Sequence, residues 1–399
     1  MTDSNWNVDQ LGALADEWVA EREAFLASLQ TYLQTQLPPV RPNQLQQPTL
    51  AVYQAELQAI GSRLYRFLRA MDDLVWYSLQ SRLEDFQRQL ETEYGAAVRD
   101  DLQWLATVSP PENVAATHEA VRQAVGLMQH NLWIYKELNG VFDFPTLRLT
   151  RRLISQMKYR LYPIRLSLQD FRHYWLLDDA NVELCEPPID QANPASGIHY
   201  HEVDQLRGAY TAYIPEYYTP DHAWPLILAM HGGSGNDEDF LWTWLKYAKS
   251  RAYLLISAKS FGATWYPWDA LSVLLMLDDM QARYHVDPSR ILLTGLSDGG
   301  SFGYDVGFAF PDRFSALAVV AGILRPPQDT VQASQLPVYI AHGAQDQLFP
   351  VQYIRLVADK LRKVGHPVTY HELPNFGHAY PSGENTAILA WFETVTSVK

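Results

Sequence analysis

Gly295-Leu296-Ser297-Asp298-Gly299-Gly300 directly follows an apolar β-type run, Arg290-Ile291-Leu292-Leu293-Thr294. A serine at a sharp strand-to-helix turn is placed to attack a carbonyl carbon, and the flanking glycines let strand and helix approach closely. Serine alone is too weak an acid for this. An imidazole must take its proton, and a carboxylate must hold that imidazole in the right tautomer. Two later residues can supply these groups, the carboxylate first along the chain and the imidazole after it. Asp346 lies in His342-Gly343-Ala344-Gln345-Asp346-Gln347, and His378 closes Asn375-Phe376-Gly377-His378. The negative charge that develops on the attacked oxygen needs at least two preorganised N–H donors. The amide of Asp298 is one, and that of Gly233, in His231-Gly232-Gly233-Ser234-Gly235-Asn236, is the other.

A sheet could bring these residues together at one edge, because each follows its own strand. Ala209–Pro215, Leu226–Met230, Tyr253–Ser257, Phe314–Val320, Pro337–Ala341 and Val368–Leu373 read as strands. Helical stretches such as Ala270–Tyr284 and Val351–Val364 alternate with them. Strand–helix alternation of this length predicts an α/β domain with a mostly parallel sheet, whose ligands sit at the C-terminal ends of the strands. Trp265, Tyr266 and Trp268 fall after one such strand and could wall an acyl or aromatic pocket, with simple packing as the alternative. The other polar residues near these motifs read more blandly. His231 is expected to hold its loop, His342 to pack at a strand end, and Asp269 and Asp287 to cap or turn the chain. The side chain of Asp298 is expected to point away from the oxyanion.

The His-Gly-Gly of residues 231–233, the Gly-Leu-Ser-Asp-Gly of residues 295–299, the Gly-Ala-Gln-Asp of the acid loop and Phe376-Gly377-His378 resemble the α/β-hydrolase superfamily. Val286-Asp287-Pro288-Ser289-Arg290 and Phe310-Pro311-Asp312-Arg313-Phe314 narrow the resemblance. They are similar to the carboxylesterase/phospholipase group and to polyhydroxybutyrate-depolymerase and feruloyl-esterase-like enzymes. The resemblance spans roughly residues 200–399. It implies an α/β-hydrolase fold and a serine esterase acting through an acyl-enzyme, with Ser297 as nucleophile, His378 as base and Asp346 as its orienter. It also implies no metal or organic cofactor. A peptidase or thioesterase with the same triad is the alternative, since a triad fixes the reaction class and not the leaving group. Lids in this superfamily often lie between the nucleophile and acid strands, but Ala321–Gln335 is long enough only for a short loop.

The first half of the chain has a different texture. Tyr53, Leu57, Ile60, Leu64, Phe67, Met71, Val75, Leu79, Leu83, Phe86 and Leu90 recur every three or four residues, the spacing of one helix face. Leu11, Leu14, Trp18, Phe25, Leu29 and Leu33 predict an earlier helix, ended by Pro38-Pro39. Ser109-Pro110-Pro111-Glu112 reads as a cap opening a third, and a fourth runs from about Pro145 towards Trp175 with a kink at Pro163. Four long helices predict an N-terminal all-α bundle. Arg148, Arg151, Arg152, Lys158, Arg160 and Arg165 read as a solvated face pairing with acidic neighbours, with anion binding as the lesser reading. The expected division is a helical bundle over residues 1–180, a linker over 181–197 rich in turn formers, and a catalytic domain over 198–399.

Composition bounds the rest. The net charge of −14 argues against nucleic-acid or anionic-membrane partners, which need a basic face. The single cysteine, Cys185, excludes an internal disulfide and a cysteine-rich metal site. No signal-like start and no bilayer-length apolar run are visible, so a cytoplasmic protein acting on a small-molecule or lipid-like ester is expected. The bundle is left with three roles: lid, homodimerisation surface or docking module. An interaction protein carrying a vestigial hydrolase half is the reading from another class.

Overall fold

The computed structural model describes residues 23–31, 33–35, 47–76, 83–137, 144–188, 193–203, 208–325, 335–381 and 383–397. The three- and four-residue spacing from Tyr53 onward forms a helix over Leu50–Trp76. Its stripe of Tyr53, Leu57, Ile60, Leu64, Phe67 and Met71 is buried. Such a stripe can leave water only against other helices with stripes of their own. These are Leu83–Leu90, Ala96–Thr107, Ala115–Glu137 and Phe144–Leu161. Leu83–Leu90 passes through a π-helical turn, Glu91–Gly95, into Ala96–Thr107, a helix not read from the sequence. Leu11, Leu14, Trp18, Leu79 and the Pro38-Pro39 stop lie outside the described residues.

Pro163 does not kink a longer helix. Phe144–Leu161 ends two residues before it, and 3-10 turns at Arg165–Ser167 and Gln169–Arg172 carry the chain onward. Proline lacks the N–H that the next turn needs, and its ring clashes with the carbonyl four residues back. The basic run is also less solvated than expected. Lys158 and Arg165 are buried, Lys158 pairing with Asp72 at 2.7 Å and Arg165 lying over the Tyr162 ring. Long aliphatic stems let such residues pack while their charge finds a partner.

A division into two compact units falls between Trp175 and Leu176. Among the described residues of the second unit eight strands form one sheet: β1 (Gly197–Val203), β2 (Gly208–Ile214), β3 (Trp224–Met230), β4 (Leu254–Ala258), β5 (Val286–Leu296), β6 (Ala316–Val320), β7 (Val338–Gly343) and β8 (Val368–Leu373). Their order is β1-β2-β4-β3-β5-β6-β7-β8. β2 is antiparallel to β1 and β4, and every other pairing is parallel. This is the α/β-hydrolase fold. β2, β3 and β4 are buried along their whole length, as strands covered on both faces by helices must be. The helices are Asp237–Arg251, Asp269–Arg283, Asp298–Ala309, Val351–Lys363 and Glu384–Ser397.

The stretch between the two textures is built into this unit. Asn181 caps a short helix, Val182–Cys185, and Cys185 and Glu186 are buried. Lys249, with no exposed side-chain surface, pairs with Glu216 at 2.7 Å and with Glu186 at 3.3 Å. Residues 326–334, within the interval read as a short loop, are not among those described. Among the described residues no helix is long and apolar enough to cross a membrane.

Candidate active site

Strand register brings the predicted residues together. β3 lies between β4 and β5, the point where the chain's progress across the sheet reverses, and crevices form at such points. Met230, the last residue of β3, is level with Gly295 of β5. The loop that begins at His231 therefore stands beside the turn that begins at Leu296. A Cβ on Gly299 would overlap the carbonyl oxygens of Met230 and His231, so only glycine permits this approach. β5 is in turn level with β6, Leu296 pairing with Val320, and the Ser297 N–H donates to the Val320 carbonyl at 2.8 Å.

Ser297 adopts φ 53° and ψ −112°, a backbone conformation that costs a side-chain-bearing residue about 1–3 kcal/mol. Its hydroxyl is thereby lifted clear of strand and helix. Ser297 Oγ lies 2.8 Å from His378 Nε2, and His378 Nδ1 lies 2.8 Å from Asp346 Oδ2. The second Asp346 oxygen accepts the Leu348 and Phe349 amides, both at 2.8 Å. With one oxygen toward His378 Nδ1, this fixes His378 as the Nδ1–H tautomer and leaves Nε2 to accept from the serine. Burial raises the Asp346 pKa, but the His378 bond and the Phe349 amide outweigh it, and the group sits below its ordinary value.

The loops carrying Asp346 and His378 meet because Gly343, at the end of β7, allows it. A Cβ there would overlap the Phe376 and Gly377 carbonyl oxygens. The Gln345 amide then donates to Phe376 O at 2.9 Å, tying the two loops to each other. The Phe349 ring meets the His378 ring edge-on, with centroids 5.1 Å apart.

In the glycine loop the Ser234 amide donates to Ala263 O at 2.5 Å and the Gly235 amide to Gly232 O at 2.9 Å. No hydrogen-bond partner for the Gly233 and Asp298 amides occurs among the described residues, and the Gly233 Cα stands beside the Asp298 side chain. The Asp298 carboxylate accepts from the Trp265 amide at 2.8 Å and from the Thr264 hydroxyl, and it pairs with Arg325. His231 is wholly internal. Its Nδ1 is 2.8 Å from Gly232 O, its Nε2 is 3.3 Å from the Ser260 amide, and burial lowers its pKa to about 3. It holds the loop as a neutral ring.

The three aromatic candidates separate. Trp265 is buried, stacks on Phe302 with centroids 5.2 Å apart, and donates its indole N–H to His231 O at 2.8 Å. Tyr266 is exposed and stacks on half-buried Trp268 at 4.5 Å and 9°. Asp269 lies beneath them, accepting the Phe261 amide at 3.0 Å and the Tyr266 amide at 2.7 Å. Asp287 accepts from Ser289 and pairs with Arg290. Sequence reasoning missed Thr264 and Arg325, because neither belongs to a motif and their partner, Asp298, lies far off in the chain. Among the described residues no group of three or more His, Cys, Asp or Glu could hold a metal.

Residues 269–392 match the dienelactone hydrolase family. The chain is similar to lysophospholipase-like protein 1 of Mus musculus, 27% identical over 128 residues, covering 31% of this chain and 54% of that protein. It is also similar to poly(3-hydroxyalkanoate) depolymerase C of Paucimonas lemoignei, 41% identical over 54 residues, covering 14% of this chain and 13% of that one. The chain thus spans about half or less of the length of these curated relatives. Among solved structures, a thermostable esterase superposes with a TM-score of 0.43 at 20% identity, covering 51% of this chain and 63% of that one.

Proposed function

We propose that this chain hydrolyses carboxylic esters through an acyl-enzyme. Ser297 Oγ attacks the ester carbonyl while His378 Nε2 takes its proton, and Asp346 stabilises the imidazolium that forms. The tetrahedral oxyanion accepts hydrogen bonds from the Gly233 and Asp298 amides. Collapse expels the alcohol, which receives the proton from His378 and leaves an acyl group on Ser297. Water, deprotonated by His378, repeats the sequence and releases the acid.

The observation that carries this reading is the relay of 2.8 Å contacts from Ser297 through His378 to Asp346, anchored at a positive-φ elbow. The match of residues 269–392 to a hydrolase family supports it independently. Tyr266 and Trp268 offer a flat face suited to an aryl or acyl group.

The test is labelling by a fluorophosphonate probe, with the adduct located by peptide mass. Wild type should gain one adduct on the Ser297 peptide and Ser297→Ala none. Folded wild type without an adduct would sink the reading. Short-chain, long-chain and aryl esters, with a thioester and a peptide as comparators, assign the leaving group. Comparing the full chain with one beginning at Leu176, in kinetics and mass, separates the roles of lid and dimerisation surface for the bundle.

A further inference from the structure

Asp298 is under two opposed demands. On the reading above its amide donates to the oxyanion, yet its side chain is a carboxylate one residue from the nucleophile. A carboxylate free to turn inward would oppose the charge developing on the substrate oxygen. The fold holds it from two other loops. Oδ2 accepts from the Trp265 amide at 2.8 Å and from the Thr264 hydroxyl, both after β4. Oδ1 accepts from the Arg325 guanidinium, in the loop after β6. The two side chains are 15% and 35% exposed, so solvent screens the pair only in part. Asp305, two turns along the same helix, lies 3.8 Å from the other arm of Arg325 and steadies it.

We infer that Arg325 is a positioning residue for the reaction. By holding and neutralising the Asp298 carboxylate, it lets Asp298 lend its amide to the oxyanion without its charge opposing catalysis. The inference rests on the reading of Ser297 as nucleophile. The same carboxylate also couples the two donors. Asp298 holds Trp265, Trp265 holds the His231 carbonyl at 2.8 Å, and His231 begins the loop carrying Gly233. Arg325 touches none of the reacting atoms and acts through Asp298 alone.

The test is a cycle of Arg325→Gln, Asp298→Asn and the double variant in the full chain, measuring kcat and KM on an aryl ester. An unopposed charge beside the oxyanion should lower kcat in Arg325→Gln by about 10- to 100-fold, less than or equal to the loss of an oxyanion donor. KM should change little, because the effect belongs to the transition state. The double variant removes both charges and keeps a hydrogen-bonding pair, so it should regain most of the loss. A role in packing alone predicts the reverse, with the double variant no better than the worse single. Wild-type kcat in Arg325→Gln, or a double variant as slow as Arg325→Gln, would overturn the inference. Should Arg325→Gln not fold, Arg325→Lys and the double variant carry the test: both should stay near wild type, and a large kcat loss in either overturns it. A wild type that takes no fluorophosphonate label would fail the esterase reading itself. A wild type that labels and turns over, beside an unaffected Arg325→Gln, would fail only this inference.

Discussion

The ring of His342 lies against the carboxylate of Asp346, Nε2 to Oδ2 at 3.4 Å, with neither side chain exposed. That ring nitrogen is 2.8 Å from Phe349 O, and burial holds the His342 pKa below its ordinary value. A neutral His342 therefore donates to the Phe349 carbonyl. Phe349 in turn gives its amide to Asp346 and sets its ring at a right angle to that of His378. His342→Ala is expected to cost about 1–3 kcal/mol of stability from the lost buried hydrogen bond. It should also lower kcat more than it raises KM. An unchanged Tm and kcat would show that the loop of Asp346 stands without it.

Asp346 sets an acid-side dependence. Its pKa is depressed in the fold from 3.8, so its contribution to stability is complete above the unfolded value and disappears as pH falls through the folded one. Asp346→Asn should therefore melt below wild type at neutral pH, with the gap closing under pH about 4. Melting curves of both proteins from pH 7 to pH 3 check this. A gap that stays constant would refute it.

Gly343→Ala places a methyl group on two backbone carbonyls that cannot move independently. The expected cost is about 1–3 kcal/mol, with separation of Asp346 from His378 and loss of most turnover. Wild-type rates in a folded Gly343→Ala protein would contradict it.

Trp265 and its neighbours should part company on mutation. Trp265→Ala removes a buried, stacked and hydrogen-bonded ring and is expected to cost about 3–5 kcal/mol of stability. Tyr266→Ala and Trp268→Ala should leave Tm within a few degrees but change KM for aryl esters relative to short alkyl esters. Equal KM ratios in wild type and both variants would remove these rings from substrate recognition.

Lys249 is enclosed with Glu186 and Glu216. Lys249→Ala removes a buried cation from beside two buried carboxylates, a change expected to cost about 3–5 kcal/mol. Removing residues through Pro188 takes Glu186 away and should lower the Tm of the sheet unit more than removal through Trp175. Identical melting of the two truncated chains would show that the 182–186 segment contributes nothing.

Much of the sheet unit was legible from local signals. The apolar runs at Leu226–Met230 and Tyr253–Ser257 became β3 and β4, because a strand buried on both faces has little choice of residue type. β1 was missed. Its residues alternate weakly, include two histidines and are partly exposed, as befits an edge. The Asp178–Gly197 stretch, rich in turn formers, concealed Glu186, whose role depends on a lysine more than sixty positions away. Of the site, the chain order of Ser297, Asp346 and His378 was readable because each follows its own strand. The Arg325 and Thr264 contacts were not, since two residues from different loops meet at Asp298 with no spacing rule between them. The end of the helix at Leu161 turned on Pro163, where the sequence marked a disruption but not its outcome.

The strand order carries a consequence for how the chain becomes reactive. Ser297 follows the fifth strand, whereas His378, its proposed base, follows the eighth, which among the described residues pairs with β7 alone. A partly assembled sheet can contain the serine in its turn yet lack the imidazole that would deprotonate it. On the proposed reading of Ser297 as nucleophile, its reactivity becomes a gauge of completed folding: a probe that bonds to it during refolding should time the docking of the last strand.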